Sequence, residues 1–119
     1  MARHITLGRD GEELAARYLS ETGFEIVDRN WRCSDGEVDI VARGRGHLVF
    51  FEVKTRSSIG SGHPLDAITP TKVRRMMRVA HRWLDEHPGP FMPMRLDVVS
   101  IVMPRFASST LLHIEGVGE

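Results

Sequence analysis

Two short stretches of this chain hold charged groups where a core strand ordinarily has none. They are Glu37-Val-Asp-Ile-Val-Ala42 and Val49-Phe-Phe-Glu-Val-Lys-Thr-Arg56, and the loop Arg43-Gly-Arg-Gly-His47 between them supplies the glycines of a tight reversal. In a hairpin centred on that loop, Ile40 opposes Phe51, Val38 opposes Val53, Asp39 opposes Glu52 and Glu37 opposes Lys54. Side chains alternate along a strand, so Val38, Ile40 and Ala42 are expected to share a face with Val49, Phe51 and Val53. A slip of one residue would set Asp39 against Phe51 and put charge into an apolar row. The pattern therefore selects the face and leaves the exact register open.

Carboxylates directly opposite on a sheet repel each other, and Val41, Leu48 and Phe50 around them limit their solvation. Either one carboxyl takes up a proton or a cation lies between the two. Magnesium suits such a pair. It prefers oxygen ligands at about 2.0–2.1 Å, keeps several waters, and is often held by one or two carboxylates plus a substrate phosphate. With Lys54 alongside, the chemistry indicated is phosphodiester cleavage. The same residues could instead form an ion-pair ladder on a solvated face. The apolar density of Leu48–Val53 argues against that, because it marks a central strand covered on both faces.

A third carboxylate comes from an N-terminal helical pattern, in which Leu7, Gly11, Leu14, Ala15, Tyr18 and Leu19 recur on one face. Thr6 reads as its N-cap and Gly23 as its stop. Glu12 falls roughly 20–40° from Leu19 and Gly8, at the edge of the buried stripe, whereas Glu13 points to solvent. The small neighbours Gly8, Gly11 and Ala15 would let this helix approach a sheet closely and leave room around Glu12. Equally, Glu12 could be a first-turn acid favoured by the helix dipole.

A second helix is expected over 70–86, with Thr69-Pro70 as cap and first turn. Val73, Met76, Met77, Ala80, Trp83 and Leu84 form its apolar stripe. Lys72, Arg74, Arg75, Arg78 and Arg82, with His81, lie largely on the other side, and no acid occurs between Thr69 and Leu84. Five cations with no acid between Thr69 and Leu84 suit a phosphate backbone, although charge runs are commonly just solvated.

Positioning these groups requires helix 6–22, strands 24–30, 37–43 and 47–56, loop 57–68, helix 70–86, strand 95–103 and a last strand near 110–115. Helices on a mixed central sheet make an α/β domain, and 119 residues bound it as one domain, 1–119. The Ser/Gly-rich loop from Ser57 to His63 leads directly from the Lys54 strand, as either a mobile loop at the mouth of a site or a plain linker. Asp97 interrupts an apolar strand beside Arg95, where it either pairs with that arginine or supports the site. Formal net charge is zero, hydrophobic residues make up 41% and no apolar run has transmembrane length, so a membrane partner is not expected. The single cysteine, Cys33, excludes an internal disulfide and fits a reducing cytoplasmic compartment. The six histidines show no zinc-type spacing.

Asp39 with Glu52-Val-Lys54 resembles the Asp…(D/E)-x-K signature of the restriction-endonuclease-like superfamily. Over nearly the whole chain the sequence is similar to the YraN-like bacterial family of predicted endonucleases, akin in fold to Holliday-junction resolvases. The matching pieces are Gly8-x-x-Gly11-Glu12-x-x-Ala15, Asn30-Trp31-Arg32, Gly36-Glu37-Val-Asp39-Ile-Val, Phe51-Glu-Val-Lys-Thr-Arg56, Thr69-Pro70-x-Lys72 and Arg95-x-Asp97-Val-Val. Val38 stands where the superfamily often has proline, and the chain contains no glutamine, a common accessory residue there.

The resemblance implies a restriction-endonuclease-like fold with a helix, a three-stranded meander, a helix and a strand. It implies Mg2+ or Mn2+ held by Asp39, Glu52 and the Val53 carbonyl, with Lys54 orienting or activating the attacking water. Glu12 would act from the helix side, and Glu37 and Arg56 follow as secondary candidates. Arg56, Lys72, Arg74, Arg75, Arg78 and Arg82 would meet nucleic acid, with branched or structured DNA as substrate and a homodimer as one arrangement. The alternatives are a nucleic-acid-binding module that keeps the fold without turnover, and a protein-interaction subunit whose basic helix docks an acidic partner.

Overall fold

The computed structural model describes residues 2–58, 60, 62–90 and 92–118. Positions 59 and 61 of the Ser/Gly-rich loop thus lie outside the described residues. The elements are α1 (Ala2–Glu21), β1 (Glu25–Cys33), β2 (Gly36–Gly44), β3 (His47–Arg56), α2 (Pro70–Glu86), β4 (Met94–Val102) and β5 (Thr110–Ile114), with a 3-10 turn at Pro64–Ala67. The strands form one sheet in the order β1-β2-β3-β4-β5. The first three run as an antiparallel meander, α2 carries the chain across to a parallel β4, and β5 returns antiparallel. This is an α/β fold of restriction-endonuclease-like architecture with β3 at its centre.

Each face of the sheet is covered by one helix. Ala15, Ala16 and Leu19 of α1 pack with Phe24, Ile40, Ala42, Val49, Phe51, Val99 and Ile101. Met76, Val79, Ala80 and Trp83 of α2 pack with Val38, Val41, Phe50, Leu96 and Val98. Phe50 and Phe51 are adjacent and both fully buried, one in each core, which is the signature of a strand with two covered faces.

Local signals account for most boundaries. Gly23, at φ 99°, ends α1, and the Phe24 N–H donates to the Leu19 carbonyl at 2.9 Å as in a Schellman turn. The Thr69 hydroxyl accepts from the Lys72 N–H at 3.1 Å and caps α2. Arg45 and Gly46 both have positive φ, 54° and 80°, so a two-residue turn joins β2 to β3. Arg45 is held in that left-handed conformation by Glu115 at 2.8 Å, by the Thr22 carbonyl at 3.2 Å and by the Phe24 ring beneath it.

Four expectations are corrected. α1 begins at Ala2, so Thr6 lies within the helix and is not its cap. In α2 it is Val79 that completes the buried stripe, while Met77, about 100° round the wheel from Met76, is 38% exposed. Val38 packs on the α2 face and not in the row of Ile40 and Ala42. Alternation breaks between Val38 and Ile40, opposite Asn30, which itself has φ 54°.

The fourth correction concerns the small residues of α1. A Cβ at Gly8 would meet nothing within 4 Å, whereas a Cβ at Gly11 would clash with the Thr55 side chain. Of the two glycines only Gly11 marks a close approach of helix to sheet, and Ala15 packs in the core as expected. Gly11→Ala is expected to lower stability by about 1–3 kcal/mol through overpacking. Gly8→Ala is expected to be neutral or to add up to about 1 kcal/mol from helix propensity. Urea unfolding of the two variants checks both.

Candidate metal and phosphate site

Asp39 and Glu52 are brought together by the end of a ladder. β2 and β3 pair from Gly44–His47 to Ile40–Phe51, in the expected register, and no pair follows. Beyond that point the Val53 N–H donates to Asp39 Oδ2 at 2.7 Å, so a side chain takes over from the backbone partner. The expected pairs Val38–Val53, Asp39–Glu52 and Glu37–Lys54 are therefore not ladder pairs. Glu37 accepts instead from Arg32 on β1 at 3.1 Å. Lys54 is exposed and makes no ion pair among the described residues.

The separation of β2 from β3 opens a cleft of about 370 Å³ lined by Glu37, Asp39, Glu52, Val53 and Lys54, closed on the α2 side by Lys72 and Arg75 and at one edge by Gly36. Asp39, Glu52 and Lys54 thus line one cleft. Burial pushes the Asp39 carboxyl up to about 7; the Val53 N–H opposes the rise, while the charges of Glu12, Glu37 and Glu52 add to it. Glu12 approaches from α1 and acts on Asp39 through its field. Its Oε1 accepts from Arg29 Nη2 at 3.3 Å, and Arg29 also holds Glu13 at 2.8 Å.

The Asp39 shift has a stability consequence of defined sign. Between about pH 4 and 7 the folded chain keeps a proton that the unfolded chain has released, since the ordinary value is 3.8. Stability contributed by this group falls as pH rises through that window and is flat above it. Asp39→Asn is therefore expected to melt several degrees higher than wild type at pH 8, with the difference closing toward pH 4. Thermal melts across that range test it.

The α2 cations are not unopposed, contrary to the sequence expectation. Lys72 Nζ lies 2.9 Å from Glu52 Oε2 and Arg75 Nη2 lies 3.3 Å from Oε1. Arg78 and Arg82 reach Asp35 in the β1–β2 turn at 3.8 and 3.2 Å. Arg74 donates to the Thr71 hydroxyl on its own helix. Arg56 donates to the Gly62 carbonyl at 3.0 Å. The helix carries no acid of its own in this stretch, but Glu52 of β3 and Asp35 of the β1–β2 turn supply two.

Asp97 belongs to a separate buried network on the α1 face. Oδ1 accepts from Arg95 Nε at 2.9 Å and from the Gly116 N–H at 3.0 Å; Oδ2 accepts from Arg95 Nη2 at 2.9 Å and from His113 Nε2 at 2.7 Å. An ionised carboxylate only accepts, so Nε2 carries a proton, and the Tyr18 hydroxyl shares a hydrogen bond with Nδ1 at 2.9 Å, as donor to it when the imidazole is neutral. Burial alone would raise the Asp97 carboxyl, but the bonds from His113, Arg95 and Gly116 outweigh it and hold it below its ordinary value. Asp97, His113 and Glu115 place potential ligand atoms within 4.8 Å of one another, a grouping that could hold a metal ion. Both Asp97 oxygens are already engaged twice, however, and the Arg95 cation stands among them.

A model of the Uncharacterised protein family UPF0102 matches residues 11–101. The chain belongs to this family. A UPF0102 protein of Streptomyces griseus is 50% identical over 114 residues, covering 93% of this chain and 94% of the relative. One from Parafrankia sp. is 52% identical over 110 residues, covering 92% and 93%. One from Beutenbergia cavernae is 48% identical over 112 residues, covering 94% and 95%. The UPF0102 match takes in Glu12, Asp39, Glu52, Lys54, all of α2 and Asp97, and stops before His113.

Sequence reasoning missed Arg29, which ties Glu12 and Glu13 to β1, and the role of Glu52 and Asp35 as partners of α2. A basic residue in β1 beside two acids of α1 was the available signal, but the pairing depends on how α1 lies across the sheet. A larger cleft, of about 940 Å³, runs under the C-terminal end of α2 between Leu48, Trp83, His87 and Met94. It is mostly apolar and includes none of the acids and lysine discussed above.

No described helix is long and apolar enough to cross a membrane.

Proposed function

We propose that the chain is a metal-dependent nuclease that hydrolyses phosphodiester bonds in branched or structured DNA. The observation that supports this most is the convergence of Asp39, Glu52 and Lys54 on one cleft, with a half-buried Asp39 in the field of three further carboxylates. The donor set fits a hard divalent cation: carboxylate oxygens of Asp39 and Glu52, with the Val53 carbonyl as a further ligand. Such crowded negative charge is relieved by a cation better than by a proton at neutral pH. Mg2+ or Mn2+ held there would supply Lewis-acid activation of water and offset charge on the phosphate.

The chain's own residues would do the rest. Lys54, exposed at the cleft and without an ion pair among the described residues, would orient the attacking water and meet the developing charge on the phosphoryl oxygens. Glu12, fixed by Arg29, would hold water from the α1 side. The Val53 N–H would keep one Asp39 oxygen in place and leave the other for the cation. Symmetric cutting of a junction would take two copies of this chain. A binding module without turnover would gain from free cations on α2, and the pairing of Lys72, Arg75, Arg78 and Arg82 with carboxylates favours that alternative less.

The test is incubation of purified protein with Mg2+ or Mn2+ on labelled duplex, single-stranded and four-way-junction DNA. Cleavage is expected with either ion and is expected to be lost in Asp39→Ala. No cleavage of any of these substrates overturns the proposal.

A further inference from the structure

We propose that Lys72 and Arg75 are exchangeable counter-cations, which hold Glu52 until a divalent cation takes that carboxylate and then turn to the phosphates of the substrate. This rests on the nuclease reading above and concerns how that site is loaded.

Each Glu52 oxygen has its own cation, Lys72 on Oε2 at 2.9 Å and Arg75 on Oε1 at 3.3 Å. The acid that would serve as a metal ligand is therefore already neutralised. Both cations also line the cleft that contains Asp39 and Lys54, so a released head group stays where a bound phosphate would lie. The Arg75 side chain is 45% exposed and can swing without disturbing the α2 stripe. Lys72 sits in the first turn of α2, where its backbone N–H donates to Thr69. The helix dipole disfavours a cation there, so Lys72 gains from whichever anion is at hand. In this state the anion is Glu52; with Glu52 committed elsewhere it would be a phosphate. Arg78 and Arg82 face Asp35, outside the cleft, and take no part.

Thermodynamic linkage makes the consequence reciprocal: a cation on Glu52 strengthens phosphate binding by Lys72 and Arg75, and the converse holds. Two measurements test this without relying on turnover. In EDTA, the affinity for a short fluorescein-labelled DNA duplex is read by anisotropy. Glu52→Gln frees both cations and is expected to raise affinity about fivefold or more. Glu37→Gln removes the same charge from the same cleft but releases neither cation, because its partner is Arg32. It is expected to raise affinity less than about twofold. Equal gains in the two variants would mean a general charge effect and overturn the exchange.

Mn2+ affinity is then measured by the EPR signal of the free ion. Arg75→Met and Lys72→Met, each with wild-type far-UV circular dichroism, are expected to bind Mn2+ about fivefold tighter than wild type. A wild type that binds Mn2+ with neither variant tighter overturns the exchange alone. A wild type that binds no Mn2+ overturns the metal-dependent reading and the exchange with it.

Discussion

Lys54→Ala is expected to lower metal-dependent phosphodiester cleavage by about a hundred- to a thousandfold while Mn2+ binding stays intact. The expectation follows from where the lysine stands. In the proposed site Asp39 and Glu52 would carry the oxygen donors, so a cation would lose no ligand when Lys54 is truncated. Lys54 lines the same cleft without an ion pair among the described residues, so its charge is uncommitted. A group that stabilises charge only as it develops lowers kcat with little effect on KM. Truncation also costs little in folding, because the side chain is exposed. Single-turnover cleavage, alongside Mn2+ titration by EPR, checks both halves. A loss of Mn2+ binding in parallel with cleavage would assign Lys54 to the structure of the site and not to its chemistry.

The largest effect on stability is expected at Asp97, away from the cleft. Its side chain is fully buried and holds Arg95, His113 and the Gly116 N–H together. Asp97→Ala takes the bidentate acceptor from the half-buried Arg95 guanidinium, which keeps the longer 3.8 Å approach to Glu115, and takes the acceptor from the His113 Nε2. Breaking a buried pair from one side costs about 3–5 kcal/mol, a large share of the stability of a domain this size. Urea unfolding at neutral pH measures it. The pH dependence is opposite to that of Asp39. The Asp97 carboxyl is held below its ordinary value of 3.8, so its contribution is present above that value and is lost as acid protonates it. Wild-type stability is therefore expected to decline below about pH 4, and the gap between wild type and Asp97→Ala to narrow there. An Asp97→Ala protein that unfolds no more easily than wild type would overturn the buried-network account.

Much of the site was legible because its signals are local. The strand limits of β3 and the limits of α2 follow from apolar periodicity, the Gly-rich turn and the Thr69-Pro70 cap, all of which act over a few residues. The Ile40–Phe51 pairing follows from the two-residue turn and from the cost of burying charge. Once that pair is set, Asp39, Glu52 and Lys54 reach one cleft. Val38 was misassigned because the alternation rule assumes an unbroken strand, and the break opposite Asn30 carries no glycine or proline to announce it. Met77 was misassigned because a wheel fixes the angle between residues but not where the sheet will lie against it.

What the sequence determined by itself was the order of elements, the two apolar faces and the gathering of two acids and a lysine, since hydrophobic burial and strand geometry act along the chain. What only the tertiary structure decided was which charge meets which. Arg29 reaches Glu12 across 17 positions, Arg75 reaches Glu52 across 23 and Arg82 reaches Asp35 across 47. Those pairings depend on how closely Gly11 lets α1 settle on Thr55 and on where α2 crosses the sheet. Both are outcomes of packing two layers on a third, and no periodicity within one segment encodes them.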